Sequence, residues 1–372
     1  MTKIIQNTFP FISEKTKITF LEGAKEILDS GKLILGPYTE KLEAETASFV
    51  GVKHAIAVSD ATSAIQMVLE KIGVGGYEVI FPTNTFISPV YAAKQVGAEV
   101  GIVDIQLRDY NMDFASLEAQ ISDKTKAVII THIAGTISPD IWRIKALCKE
   151  NRIIMIEDAS HAYGAEIDGI KAGAIGDIGI FSLYATKIAT GGTGGLILTN
   201  DDALYQHCQL ARHHGNQGPM NRLLAGDSLI SEMNALLGYS QVMEIKENVS
   251  KRQQIKLYYE QHLNDIFWKS EIQFQEIAPN SISTFYKMII SSERTELIGQ
   301  LREKLLEKGI HTGHCYKIPL HKQRTLKAMG ITAICPNGDK YGDMHLSLPC
   351  HLGMNEAELQ IVVTTIKEVI RE

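Results

Sequence analysis

Apolar positions along the chain keep two rhythms. Short runs rich in β-branched residues lie at 54–58, 78–81, 98–105, 126–132, 153–156, 178–183 and 196–199. Runs of this length, bounded by glycine or polar residues, suit strands buried on both faces of a sheet. Between them, apolar residues recur every three or four positions. Ile18, Leu21, Ala24, Ile27 and Leu28 mark a helix over 15–30, and similar spacing predicts helices over 40–50 and 63–72. Gly31 and Gly36-Pro37 break the chain between the first two. Repeated strand–helix alternation predicts a largely parallel, doubly wound α/β sheet. From about Glu244 the pattern changes to long amphipathic helices through 251–263, then a strand over 285–290 and helices over 297–308 and 355–370. The expected division is a large domain over 1–243, with an irregular arm before about Ser13, and a smaller C-terminal α+β domain over 244–372.

Composition narrows the class. A chain of 372 residues exceeds one typical domain, and 45% apolar content supplies a sizeable core. A net charge of −6 carries no footprint of a nucleic-acid or membrane partner. The five cysteines are scattered without a Cys-x-x-Cys pair, which points to neither a disulfide framework nor a zinc site. The first residues lack a signal peptide's apolar stretch, and no run is long enough to span a bilayer. A cytoplasmic protein is the expectation.

Candidate chemistry concentrates between 153 and 200. In open α/β sheets ligands bind beyond the carboxyl ends of the strands. That rule puts Asp158, Ser182 and Lys187 on one rim. Taken alone, Lys187 reads as a solvated surface lysine, as most lysines are. An aspartate closing an apolar strand, however, is costly to bury unless it is paired. The turn Ser59-Asp60-Ala61-Thr62-Ser63-Ala64 joins a strand to a helix, and free amides at such a start suit an anion. Ordinary capping by Thr62 or Ser63 is the plainer alternative. Phe86, just past a strand end, fits either stacking on a flat ring or simple packing. His161 fits either a site or a satisfied core position.

Asp158-Ala159-Ser160-His161-Ala162-Tyr163-Gly164-Ala165, followed by Phe181-Ser182-Leu183-Tyr184-Ala185-Thr186-Lys187, resembles the signature of DegT-type sugar aminotransferases. These are pyridoxal-phosphate (PLP) enzymes of the aspartate-aminotransferase superfamily, and the resemblance runs from Gly36-Pro37 to Leu348-Pro349. It implies the type I PLP fold. It further implies that Lys187 carries the cofactor covalently and moves a proton on the substrate, which requires a lowered pKa. Asp158 would keep the pyridine nitrogen protonated through a charge-assisted hydrogen bond. Thr62, Ser63 and Ser182 would hold the phosphate, Phe86 would cover the ring, and His161 would lie beside the phenolic oxygen.

The likeness has departures. Where relatives carry Asn-Tyr/Phe-Arg-Met, this chain has Asp227-Ser228-Leu229-Ile230 ahead of the helix that starts at Ser231-Glu232. The family's asparagine reaches the partner subunit's phosphate. Asp227 at that cofactor-contact position would repel it, so Asp227 turns away or the loop is built differently. The loop 310–321 resembles the family's substrate-bordering segment, which implicates His311, His314 and Tyr316, with Cys315 where histidine is usual. Metal binding by His311, His314, Cys315 and His321 fits no standard zinc spacing; no metal is expected.

The resemblance implies a two-stage transamination in amino-sugar biosynthesis. An amino acid, expected to be L-glutamate, leaves the cofactor as pyridoxamine phosphate, and a keto-sugar, expected to be nucleotide-linked, takes the amino group. A homodimer with shared sites follows by the same analogy. The lost arginine keeps open a free or phosphorylated keto-sugar or a cyclitol ketone as acceptor. A PLP-binding regulatory protein without turnover is the non-enzymatic alternative. Related dehydratases replace the lysine with histidine, against which Lys187 argues.

Overall fold

Seven strands build the central sheet of the computed structural model, which describes residues 4–371. They are β1 (His54–Val58), β2 (Glu78–Pro82), β3 (Glu99–Val103), β4 (Thr125–Thr131), β5 (Ile154–Asp158), β6 (Ile178–Ser182) and β7 (Gly195–Thr199). Their spatial order is β1-β7-β6-β5-β4-β2-β3. β7 runs antiparallel to both neighbours, and the remaining pairings are parallel. The sheet is thus mixed but mostly parallel, as the strand–helix alternation implies.

Strand alternation divides the apolar residues between two cores. Met155 joins Leu42, Ile144 and Leu236 on one face, and Ile156 joins Ile65, Leu69 and Leu204 on the other. The same alternation separates the two acids that close β5. Glu157 points to the first face and is fully buried. It accepts hydrogen bonds from the backbone N–H groups of Gly173 (2.8 Å), Ile175 (2.7 Å) and Gly176 (2.6 Å) and lies 2.8 Å from His132 Nε2. Asp158 is left to the opposite face, where the site lies. Replacing Glu157 with alanine strands these donors, each costing roughly 1–3 kcal/mol when buried and unpaired. We expect Glu157→Ala to lower the guanidinium unfolding midpoint clearly. An unchanged midpoint would show that the acid does not hold this loop.

The helix after β1 spans Ala61–Ile72 and starts two residues before its apolar spacing does, because Asp60 caps it by accepting from Ser63 N at 2.8 Å. The helix Ile245–Lys269 begins just past the expected boundary and serves both halves. Its Ile245 and Val249 pack in the first core. Its Tyr259 and Leu263 belong to a C-terminal core with Ile298, Leu301 and Val362, into which the arm residue Ile5 also inserts. That C-terminal core covers an antiparallel sheet of Gln273–Phe274, Met288–Ser291 and His345–Leu348.

The strand expected over 285–290 is shorter at its start. Phe285 adopts φ +47°, with its N–H donated to Ser283 Oγ (3.2 Å) and its carbonyl accepting from Arg252 (2.9 Å). This bend presents Tyr286 and Lys287 to the cavity described next.

Candidate active site

The carboxyl ends of β5 and β6, the start of the helix Ala61–Ile72 and the loop 314–316 enclose a cavity of about 570 Å³. Eight of the residues singled out from the sequence line it: Thr62, Phe86, Asp158, His161, Ser182, Lys187, His314 and Tyr316. Three do not. Ser63 gives both its N–H (2.8 Å) and its hydroxyl (3.0 Å) to the Asp60 carboxylate. His311 lies outside the lining, and its backbone N–H donates to Ile5 O at 2.8 Å. Asp227 accepts from Leu229 N at 3.1 Å and sits 3.9 Å from His214, away from this chain's cavity.

Lys187 follows β6 in a tight turn, its N–H bonded to Tyr184 O at 2.9 Å. Burial pushes its amine down to about 8, and the Lys287 ammonium pushes the same way. The Asp158 carboxylate pulls in the opposite direction but does not overcome burial. Asp158 is 6% exposed, and Oδ1 accepts from Ser160 N at 3.2 Å. In the apo-protein, acylation of Lys187 should therefore rise with pH through a midpoint near 8, because only the neutral amine reacts. A midpoint near the ordinary value of 10.5 would contradict this burial effect.

His161 stacks on Tyr286, with ring centroids 4.3 Å apart, and its Nε2 lies 3.2 Å from the Tyr316 hydroxyl. Burial, reinforced by Lys187 and Lys287, holds it well below the usual histidine range, so the ring is neutral. Its Nδ1 is buried without a protein partner. Phe86 is 55% exposed at the rim, 6.4 Å from the Tyr316 ring, so it is not core packing.

These residues fit pyridoxal phosphate. An anion cradle forms where the helix start at Ala61–Thr62 meets Ser182 and Thr193. Ser182 Oγ accepts from Tyr184 N (3.3 Å), which leaves its O–H free to donate. Gly195 lets β7 approach the cradle: a Cβ there would lie 2.5 Å from the Asp60 carbonyl carbon. The unpaired Nδ1 of His161 offers a partner for a ring oxygen, and amine and carboxylate line the same space. Lys187 and Asp158 would hold opposite sides of the ring.

Sequence reasoning passed over Tyr286, Lys287, Asp60 and Thr193, all on the cavity wall. One signal was present: Lys287 interrupts an otherwise apolar run. Among the described residues, no group of three or more His, Cys, Asp and Glu side chains converges on a metal position. His321 instead bonds Thr83 (2.6 Å) and Asp339 (2.8 Å). No described helix is long and apolar enough to cross a membrane.

Residues 15–367 match the family model of the DegT/DnrJ/EryC1/StrS aminotransferase family. A pleiotropic regulatory protein of Geobacillus stearothermophilus is 31% identical, covering 96% of each chain. A UDP-N-acetyl-3-dehydro-α-D-glucosamine 3-aminotransferase of Acidithiobacillus ferrooxidans is 31% identical over 94% of this chain and 93% of its own. A candidate sugar aminotransferase of Streptococcus pneumoniae, solved in its PLP form, superposes with a TM-score of 0.90 at 25% identity, covering 99% of both chains.

Proposed function

Since this chain belongs to the DegT/DnrJ/EryC1/StrS aminotransferase family, we propose that it is a PLP-dependent sugar aminotransferase that takes its amino group from L-glutamate and delivers it to a nucleotide-linked keto-sugar. The carrying observation is the pairing of Lys187, its amine lowered to about 8, with the buried Asp158 on one cavity wall. The Acidithiobacillus relative, named for a UDP-linked keto-sugar, supports the acceptor class.

The cofactor, when bound, supplies an aldehyde that takes up the amino group and a ring that draws off electrons. Everything else is work for the protein. Lys187 would hold that aldehyde, and its neutral amine would carry the proton between the substrate carbon and the neighbouring position. Asp158 holds a proton at the pyridine nitrogen. Thr62, Ser182 and the helix start fix the phosphate, and Phe86 covers one face. Neutral His161 would offer its unpartnered Nδ1 to the ring oxygen. His314 and Tyr316 border the space left for the sugar. His314 is itself lowered to about 4, so it meets the sugar uncharged.

A homodimer fits the surface. Met220 is 69% and Leu224 101% exposed, and Asp227 lies on the same segment, off its own cavity. We assign this segment to the partner subunit's site; sedimentation at the single-chain mass of 41.1 kDa would contradict it.

The function is tested by loading the protein with pyridoxamine phosphate and asking which ketones restore the aldehyde absorbance. UDP-, GDP- and dTDP-linked keto-sugars should do so faster than free or phosphorylated keto-sugars or cyclitol ketones. Preference for an unlinked ketone would overturn the acceptor class. The name of the Geobacillus relative favours a second reading, a PLP-binding regulator. A protein that binds the cofactor but is never bleached by any amino acid would establish that reading instead.

A further inference from the structure

Lys287 is a second amine on the cavity wall, and the chemistry assigned to Lys187 and Asp158 leaves it without a task. It enters at the bend made by Phe285, and its ammonium reaches into the same space. Lys187 Nζ and Lys287 Nζ lie 4.8 and 5.4 Å from the centroid of one ring, that of Tyr286. Lys287 Nζ donates to Asn7 Oδ1 (3.1 Å) and Thr8 Oγ1 (2.6 Å). Asn7 is anchored in turn: its Nδ2 donates to Ser347 O at 2.7 Å. The arm therefore fixes where this ammonium sits.

Both partners are neutral. The cavity wall offers no carboxylate to Lys287 among the described residues. The titratable groups facing it are the thiols of Cys315 and Cys350, the guanidinium of Arg252, the Lys187 amine and the neutral His161 ring. Burial pushes both thiols up, so they are uncharged, and Arg252 adds positive charge. Cations out of water are seldom left without an anion. Asp158 faces Lys187, and Asp60, the other acid of the lining, accepts from Ser63 at the helix start, so neither acid is paired with Lys287.

We propose that Lys287 is the anchor for the α-carboxylate of the amino-acid donor, which makes it a specificity-determining residue for the first half of the reaction. The inference rests on the transaminase reading above. A donor's carboxylate is one bond from the carbon whose proton Lys187 removes. An ammonium beside the same Tyr286 ring is within reach of that carboxylate while the carbon faces Lys187. A carboxylate carried on a sugar would lie several bonds farther out. Two of the three N–H bonds go to the arm, and the third is left for the ligand.

The test uses the PLP-loaded protein and each common amino acid, followed by loss of the cofactor's yellow absorbance. The best donor is compared with its α-carboxamide, and the amine-free acid of the same skeleton is titrated by calorimetry as a non-reacting probe. The native protein should prefer the acid over the amide by about tenfold or more, the scale of a charge-assisted hydrogen bond. In Lys287→Gln, which can still bond the arm, that preference should fall to within a few-fold, and the amine-free acid should bind about tenfold more weakly. Lys287→Arg should restore both, and Thr8→Val, which loosens the tether but keeps the charge, should retain the preference. An unchanged acid-over-amide preference in Lys287→Gln, or in Lys287→Met if the first variant misfolds, overturns the inference and leaves the transaminase reading standing. If no amino acid bleaches the native protein, the transaminase reading fails and takes the inference with it.

Discussion

Replacing Lys187 with alanine should leave a folded protein that no longer holds its cofactor covalently and no longer turns over. The side chain is half-buried and makes no hydrogen bond that another element depends on, so its removal leaves both cores intact. Truncation also removes a partly desolvated charge, which does not destabilise the fold. Loss of positioned proton transfer alone lowers rates by about 10²–10⁴-fold, and loss of covalent attachment adds to it. Absorbance of the bound cofactor and the half-reaction with L-glutamate report the two losses separately. Turnover within tenfold of the native rate would remove Lys187 from the chemistry.

Asp158→Asn is the second large effect and has a different signature. The asparagine oxygen can still accept from Ser160 N, so the turn after β5 survives and the cofactor still binds. What is lost is the negative charge opposite the ring nitrogen. A hydrogen bond to a charged group contributes about 1.5–3 kcal/mol, which corresponds to a rate loss of about 10- to 100-fold. The effect on Lys187 can be assigned a sign. Asp158 raises the Lys187 pKa, so without it the amine falls below about 8 and a larger fraction of it is neutral at any given pH. A slower Asp158→Asn enzyme therefore cannot be explained by a protonated lysine. Raising the pH should not rescue it, whereas rescue at high pH would place the role of Asp158 on Lys187.

Much of this site could be read from the chain because strand ends are local features. The apolar run ending at Asp158 and the one ending at Ser182 fix two cavity walls, and the turn after β1 fixes a third. What could not be read depends on which of several nearby partners wins, or on contacts distant in sequence. Ser63 was an equal candidate with Thr62 until Asp60 took its N–H and hydroxyl, a local competition that composition does not decide. Lys287 reaches the cavity only because Arg252 and Ser283 hold Phe285 at positive φ, and only because the arm residues Asn7 and Thr8 come to meet it. The 285–290 run was legible as a strand; the lysine within it was the visible sign that one position faced something other than core. The helix Ile245–Lys269 contributes to two cores, and no change in helical periodicity marks where one ends and the other begins.

Two lysines line one cavity, and their work differs. The direct measurement is to treat the PLP-loaded protein with borohydride, which fixes the cofactor to whichever amine carries it, and to map the adduct by peptide mass. The pyridoxyl group is expected on the peptide containing Lys187, with Lys287 unmodified. An adduct on Lys287, or none on either, would contradict this assignment.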